Sequence, residues 1–171
     1  FKDITYAEKS VFLLIFFLIS CNSQKPNNLN SFLIRFKKED FKKEIFNKIY
    51  FLEGIYKTKK DLEPIYPKLE EHRDSKYVDY LSIQDDGKVT FGTIPNGQQT
   101  SKSFHRITDD KFNGVLVREK NSIYIYREVM LHSVLGLGGG KRIIKQKVSI
   151  KDGNYIYIQN ENNCFAYRPV N

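Results

Sequence analysis

Residues 78–94 read VDYLSIQDDGKVTFGTI, and the fold follows from how this stretch divides. Residues 78–84 and 88–94 are short runs rich in β-branched and aromatic side chains. Between them stands Asp85-Asp86-Gly87, a tight-turn sequence, because Asp tolerates and Gly supplies the positive φ that such turns need. The stretch predicts an antiparallel hairpin. The same pattern recurs downstream at 101–107, 113–118, 122–130, 143–151, 155–159 and 164–170. Turn signals separate these runs: Pro95-Asn96-Gly97, Asp109-Asp110, the glycines at 136–140, and Asp152-Gly153-Asn154. Upstream, 55–59 reads as a first short strand, and 60–76, with Pro64 and Pro67, as a long connection. No helical pattern lies between any two of these nine runs, whereas parallel strands need long, usually helical crossovers. The expectation is a mainly β fold, an antiparallel meander closing into a barrel or a curved sheet.

Ahead of the strands the period is helical. Over 39–52, Phe41, Ile45, Ile49 and Leu52 fall at steps of four, four and three, with Lys42, Lys43, Asn47 and Lys48 on the other side. Glu39 with Lys43 and Glu44 with Lys48 are favourable pairs four apart, and Gly54 supplies a stop. These features predict a basic amphipathic helix within 31–53, leading into a β-domain over 54–171. Between Ser31 and Lys60 nine Lys and Arg stand against four Asp and Glu, so most of the formal charge of +8 sits there. That excess faces either anionic headgroups, worth about 1 kcal/mol per basic residue near a bilayer surface, or solvent.

Composition bounds the rest. In 171 residues the aromatic share is 14%, with Gly 10 and Pro 5, which excludes both disorder and collagen. One ordinary globular domain with a short appendage fits the length. Cys21 and Cys164 allow at most one disulfide and cannot make a thiol zinc site by themselves.

The appendage is at the N-terminus. Residues 11–19 read VFLLIFFLI, nine apolar residues without a polar face, too short to span a bilayer and the right size for a signal-peptide core. Leu18-Ile19-Ser20-Cys21, which follows directly, resembles the lipobox of bacterial lipoproteins. The resemblance implies that 1–20 is a signal peptide and that Cys21 is acylated and becomes the mature N-terminus. It also implies that 21–30, rich in Asn, is a tether and that the membrane is a partner through the lipid on Cys21. Two or more acyl chains make such anchoring stable. Asn22 follows the cysteine where an Asp retains many such proteins at the inner membrane. The implied location is therefore the cell envelope, at the outer membrane facing the periplasm. Cys164 is then left alone as a buried thiol, and nucleic acid is not an expected partner.

Motifs for catalysis are few. Leu135 to Arg142 reads LGLGGGKR, but a phosphate loop needs Gly at 135 and Ser or Thr at 142, so a loop between strands is expected. His72, His105 and His132 are scattered, without a second metal ligand at local spacing. Asp85-Asp86 and Asp109-Asp110 are sequence neighbours in turns, which do not flank a scissile bond. We expect no enzyme, no metal and no cofactor. Ile123-Tyr124-Ile125-Tyr126 and Tyr155-Ile156-Tyr157-Ile158 put tyrosines on one face of a strand and isoleucines on the other. Inward tyrosines would line a ligand cavity; outward ones would make a face for a partner or ligand.

Gly54-Ile55-Tyr56 opening the first strand, the meander, and Arg168 in the last strand together resemble a lipocalin-like barrel domain. The resemblance implies that Arg168 stacks over Tyr56 to close the barrel, and that the interior takes a small apolar ligand. The expected function is a lipid-anchored envelope protein binding a small hydrophobic molecule. The alternative is a non-enzymatic interaction module for envelope assembly or maintenance, with another envelope protein as its partner.

Overall fold

The computed structural model describes residues 28–58, 62, 64–70, 76–97, 112–131, 140–151 and 155–170, with backbone alone for 64–70. The hairpin expected from 78–94 is present. β3 (Tyr77–Ile83) and β4 (Lys88–Pro95) pair antiparallel in unbroken register from Tyr77↔Pro95 to Ile83↔Val89, and Gly87 takes φ 84 in the turn. Around it β1 (Lys48–Thr58), β2 (Pro64–Glu70), β5 (Gly114–Glu119), β6 (Ser122–Leu131), β7 (Gly140–Lys151), β8 (Tyr155–Asn160) and β9 (Asn163–Pro169) complete one nine-stranded sheet. From β3 onward each strand pairs with the next, and β9 pairs back onto β1, so all strands but β2 close into an eight-stranded antiparallel barrel. Along one edge β1 serves two neighbours: 48–51 pair with β3 and 55–58 with β2.

The stripe through Phe41, Ile45, Ile49 and Leu52 is not a helix face. Residues 28–47 make one short helix, α1 (Asn30–Leu33), and two 3-10 turns, Lys38–Asp40 and Lys43–Ile45, before Asn47 at φ 55 turns the chain into β1. From Ile49 the sequence IYFLEGIY is rich in β-branched and aromatic residues that suit a pleated surface packed on both faces, and this overrides the helical spacing. Gly54, expected to stop a helix, sits instead at a bulge, where the β1–β9 register shifts between Leu52 and Gly54. The extra residue passes the inner face from Leu52 to Ile55 and turns Tyr56 outward. The connection expected over 60–76 contains β2. Its prolines are tolerated because it is an edge strand whose pairing with β1 is interrupted by register shifts. The strand expected over 101–107 lies outside the described residues.

Alternation sends one set of side chains into the barrel. Tyr50, Leu52, Leu81, Ile83, Val89, Leu116, Ile125, Val148, Ile156 and Ile158 meet there in one buried cluster. Each large apolar side chain so buried contributes about 1.5–3 kcal/mol relative to exposure. The N-terminal turns stopper one end of this core. Phe41, Ile45 and Phe46 are buried in it, with Phe36 packed against them. The rings of Phe36 and Phe41 stack at 5.6 Å, and Phe46 meets them edge-on at 6.0 and 6.2 Å. Tyr50 Oη donates to the Ile45 carbonyl at 2.9 Å, tying the stopper to β1. Of the polar face of the expected helix, Lys42, Lys43 and Asn47 are exposed and Lys48 is half-buried at the start of β1. Outside the barrel, Leu29, Phe32 and Leu33 cover Val115, Val117 and Tyr126 on β5 and β6.

The seam between β4 and β5 has two ladder positions, Lys88↔Val115 and Val89↔Gly114. Asn113 extends it with its side chain. Its Oδ1 accepts from the Phe91 N–H at 2.8 Å and its Nδ2 donates to the Phe91 carbonyl at 2.9 Å, so one amide group does the work of a strand residue.

Candidate functional site

Opposite the stopper, the inner face of the barrel changes character. On β3 it runs Ile83, Leu81, Asp79; on β4 Val89, Phe91, Thr93; on β6 Ile123, Ile125, Arg127; on β7 Ile150, Val148, Gln146; on β8 Ile156, Ile158, Asn160. In each strand two apolar residues near the stopper give way to a polar one toward the far end. A cavity of about 170 Å³ opens there. Its walls are Phe91, Ile158, Phe165 and Tyr167 on the apolar side and Asp79, Thr93, Arg127, Gln146 and Asn160 on the polar side.

Two of the polar groups are left without partners. Arg127 Nε and Gln146 Oε1 are buried and make no hydrogen bond among the described residues, although Gln146 is only 5% exposed. Arg127 pairs with Ile144, so Gln146 is its diagonal neighbour on the inner face. The guanidinium lies 4.0 Å over the Phe91 ring, a cation held on an aromatic face. Burial lowers the Arg127 pKa from its ordinary value, while the Tyr167 hydroxyl and the Asp79 carboxylate act the other way. An arginine nevertheless keeps its proton, so the cavity wall carries a desolvated positive charge. Burial also pushes the Tyr167 hydroxyl well above its ordinary pKa, so it is a neutral phenol.

The tyrosine question resolves in favour of the isoleucines. Ile123, Ile125, Ile156 and Ile158 face in, and Tyr124, Tyr126, Tyr155 and Tyr157 face out. Tyr126 is covered: Phe32 stacks on it at 4.0 Å, and its hydroxyl donates to Glu119 at 2.5 Å. Arg35 and Lys145 bind the same carboxylate, each at 2.5 Å. These bonds, that of Lys145 foremost, hold the Glu119 pKa down to about 2. Tyr124 lies under the Lys145 ammonium at 4.0 Å. Tyr155 and Tyr157 stack at 6.4 Å on the outer face of β8, and Lys151 approaches Tyr157 at 5.4 Å. These four residues therefore do not line the cavity.

Tyr56 and Arg168 are not brought together. Tyr56 stands across from Cys164 and Arg168 across from Phe51, four positions apart along β9, roughly 13 Å at the rise of a strand. Tyr56 instead packs outside the barrel with Leu62, Cys164 and Ala166. Cys164 is a fully buried free thiol whose pKa burial raises to about 11, as an inert cysteine requires. Cys21, the three histidines and Leu135 to Gly139 lie outside the described residues, and Gly140, Lys141 and Arg142 begin β7. Arg127 and Gln146 were not singled out in the sequence. The signal was there: Ile123-x-Ile125-x-Arg127 and Gln146-x-Val148-x-Ile150 each break an apolar alternation with a polar residue on the inner face.

No family model matches this chain, no curated protein matches it, and no solved structure matches it.

Proposed function

We propose that the chain is a lipid-anchored cell-envelope lipoprotein whose barrel binds a small molecule. The observation that carries the binding half of this reading is the cavity with its unpartnered Arg127 and Gln146 groups. An unmet buried donor and acceptor are costly, and a ligand that satisfies both recovers that cost. Toward the stopper the interior is occupied by the buried apolar cluster, and the cavity itself has room only for a small ligand. A cavity of about 150 Å³ accommodates benzene, whereas drug-sized ligands occupy about 300–1,000 Å³. The purely hydrophobic ligand expected from the lipocalin resemblance is thereby narrowed to one with an apolar body and a polar end. The anchor half rests on Leu18-Ile19-Ser20-Cys21 behind its apolar run. On this reading the acylated Cys21 holds the barrel at the outer membrane, facing the periplasm.

A second reading, an interaction module for envelope assembly or maintenance, draws on the outward Tyr155–Tyr157 stack. Native mass spectrometry of the detergent-extracted full-length product separates the two. The expected result is a chain beginning at an acylated Cys21 that carries a small non-covalent adduct, released on activation. A stoichiometric protein partner in place of the adduct would favour the interaction module. Retention of 1–20 with Cys21 unmodified would overturn the anchor.

A further inference from the structure

We infer that the cavity takes a small zwitterionic α-amino acid with an apolar side chain, its carboxylate on Arg127 and its ammonium on Gln146 Oε1 and Asp79. This rests on the reading of the barrel as a ligand-binding module and names the ligand class. Among the described residues the cavity wall presents one cation, Arg127, and one carboxylate, Asp79. No carboxylate stands within ion-pairing distance of Arg127 among the described residues, yet Asp79 lines the same cavity and its charge is felt at the guanidinium. The two charges are thus neighbours that do not neutralise each other by contact. A ligand with a carboxylate and an ammonium a few bonds apart bridges them, meeting each with a charge-assisted hydrogen bond, the stronger kind.

The uncharged partners point the same way. Among the described residues Gln146 Oε1 has no donor, and an ammonium brings three; Arg127 Nε has no acceptor, and a carboxylate brings two oxygens. A simple anion would satisfy Arg127 but would leave the Gln146 oxygen unmet and face the Asp79 carboxylate. A simple amine would do the reverse. A zwitterion carries no net charge into the barrel, which spares it the large desolvation cost of a lone ion. Phe91, Ile158 and Phe165 supply the apolar wall for the side chain, and about 170 Å³ suits a body near the size of benzene with a few further atoms.

The test is isothermal titration of the full-length lipoprotein in detergent with L-leucine and L-valine, alongside isocaproate, which lacks the ammonium, and isoamylamine, which lacks the carboxylate. One-to-one binding of an amino acid is expected, with each truncated analogue weaker by about tenfold or more. Arg127→Met should abolish binding while raising the melting temperature of the ligand-free protein, since it replaces a desolvated, unpaired charge with an apolar chain. Gln146→Met should weaken amino-acid binding and leave isocaproate unchanged, which keeps the test open should Arg127→Met fail to fold. Binding of isocaproate as tight as that of leucine would overturn the zwitterion. So would absence of amino-acid binding when native mass spectrometry still shows an Arg127-dependent adduct, an outcome that leaves the barrel a binding module. Loss of both would overturn the module itself.

Discussion

At the scale of single residues, Gly87 and Glu119 show how the N-terminal segment is fixed to the barrel. Gly87 combines a positive φ with a position under the Phe36 ring, so an added Cβ meets both backbone strain and a collision with the stopper. Left-handed backbone costs a non-glycine residue about 1–2 kcal/mol and overpacking about 1–3 kcal/mol. Gly87→Ala is expected to lower unfolding stability by about 2–4 kcal/mol in urea titration. Glu119 gathers Lys145, Tyr126 and Arg35, which binds the turn that follows α1 to β5, β6 and β7. Its pKa is lowered from 4.5 to about 2 on folding, so its stabilisation is present above about 4.5 and is lost as the pH falls toward about 2. Glu119→Gln should therefore melt earlier than the parent at neutral pH, and the gap should close between about 4.5 and about 2. An equal gap at both pH values would contradict the assignment. Cys164 gives a third check, because a buried thiol with a pKa near 11 should not react with a disulfide reagent until the barrel is unfolded.

At the scale of elements, the hairpin at 78–94 and the runs behind β5 to β9 were legible because each strand alternates and each turn has its own chemistry. The N-terminal helix expected over 31–53 does not form, for a physical reason. Phe41, Ile45 and Leu52 do reach the core, but as a stopper and then a strand, while Ile49 faces outward beside Val78, Tyr80 and Ile94; spacing by three or four does not separate a helix from this arrangement when strand propensity is high. The bulge at Gly54 was invisible for a similar reason, since a glycine ends helices and makes bulges alike. The β4–β5 seam was also hidden, because Asn113 acts through its side chain. Asn113→Ala removes both of its bonds to Phe91 and leaves part-buried backbone groups unmet. The expected loss is about 1–3 kcal/mol, with faster hydrogen exchange at the Phe91 amide than in the parent. Asn113→Asp should keep the bond from the Phe91 N–H and lose the one to its carbonyl.

At the scale of the whole molecule, closure could be anticipated but not which face was inner. One residue of slip exchanges Ile125 for Tyr126 across the wall, and only the register of eight strands together decides it. Once the inner face is known, the cavity follows from the sequence, for the polar ends of five inner rows converge on one place. With the apolar cluster and the stopper at the other end, that cavity is the seat of binding in the proposed function. The most direct measurement is methyl NMR of isoleucine-labelled full-length protein, titrated with the small-molecule fraction released from the purified protein on denaturation. The account expects the Ile158 methyl, on the cavity wall, to shift, while Ile45 and Ile83 near the stopper and Ile94 on the outer surface stay in place. Shifts confined to Ile94 or Ile143 on the outside, with Ile158 unmoved, would contradict it.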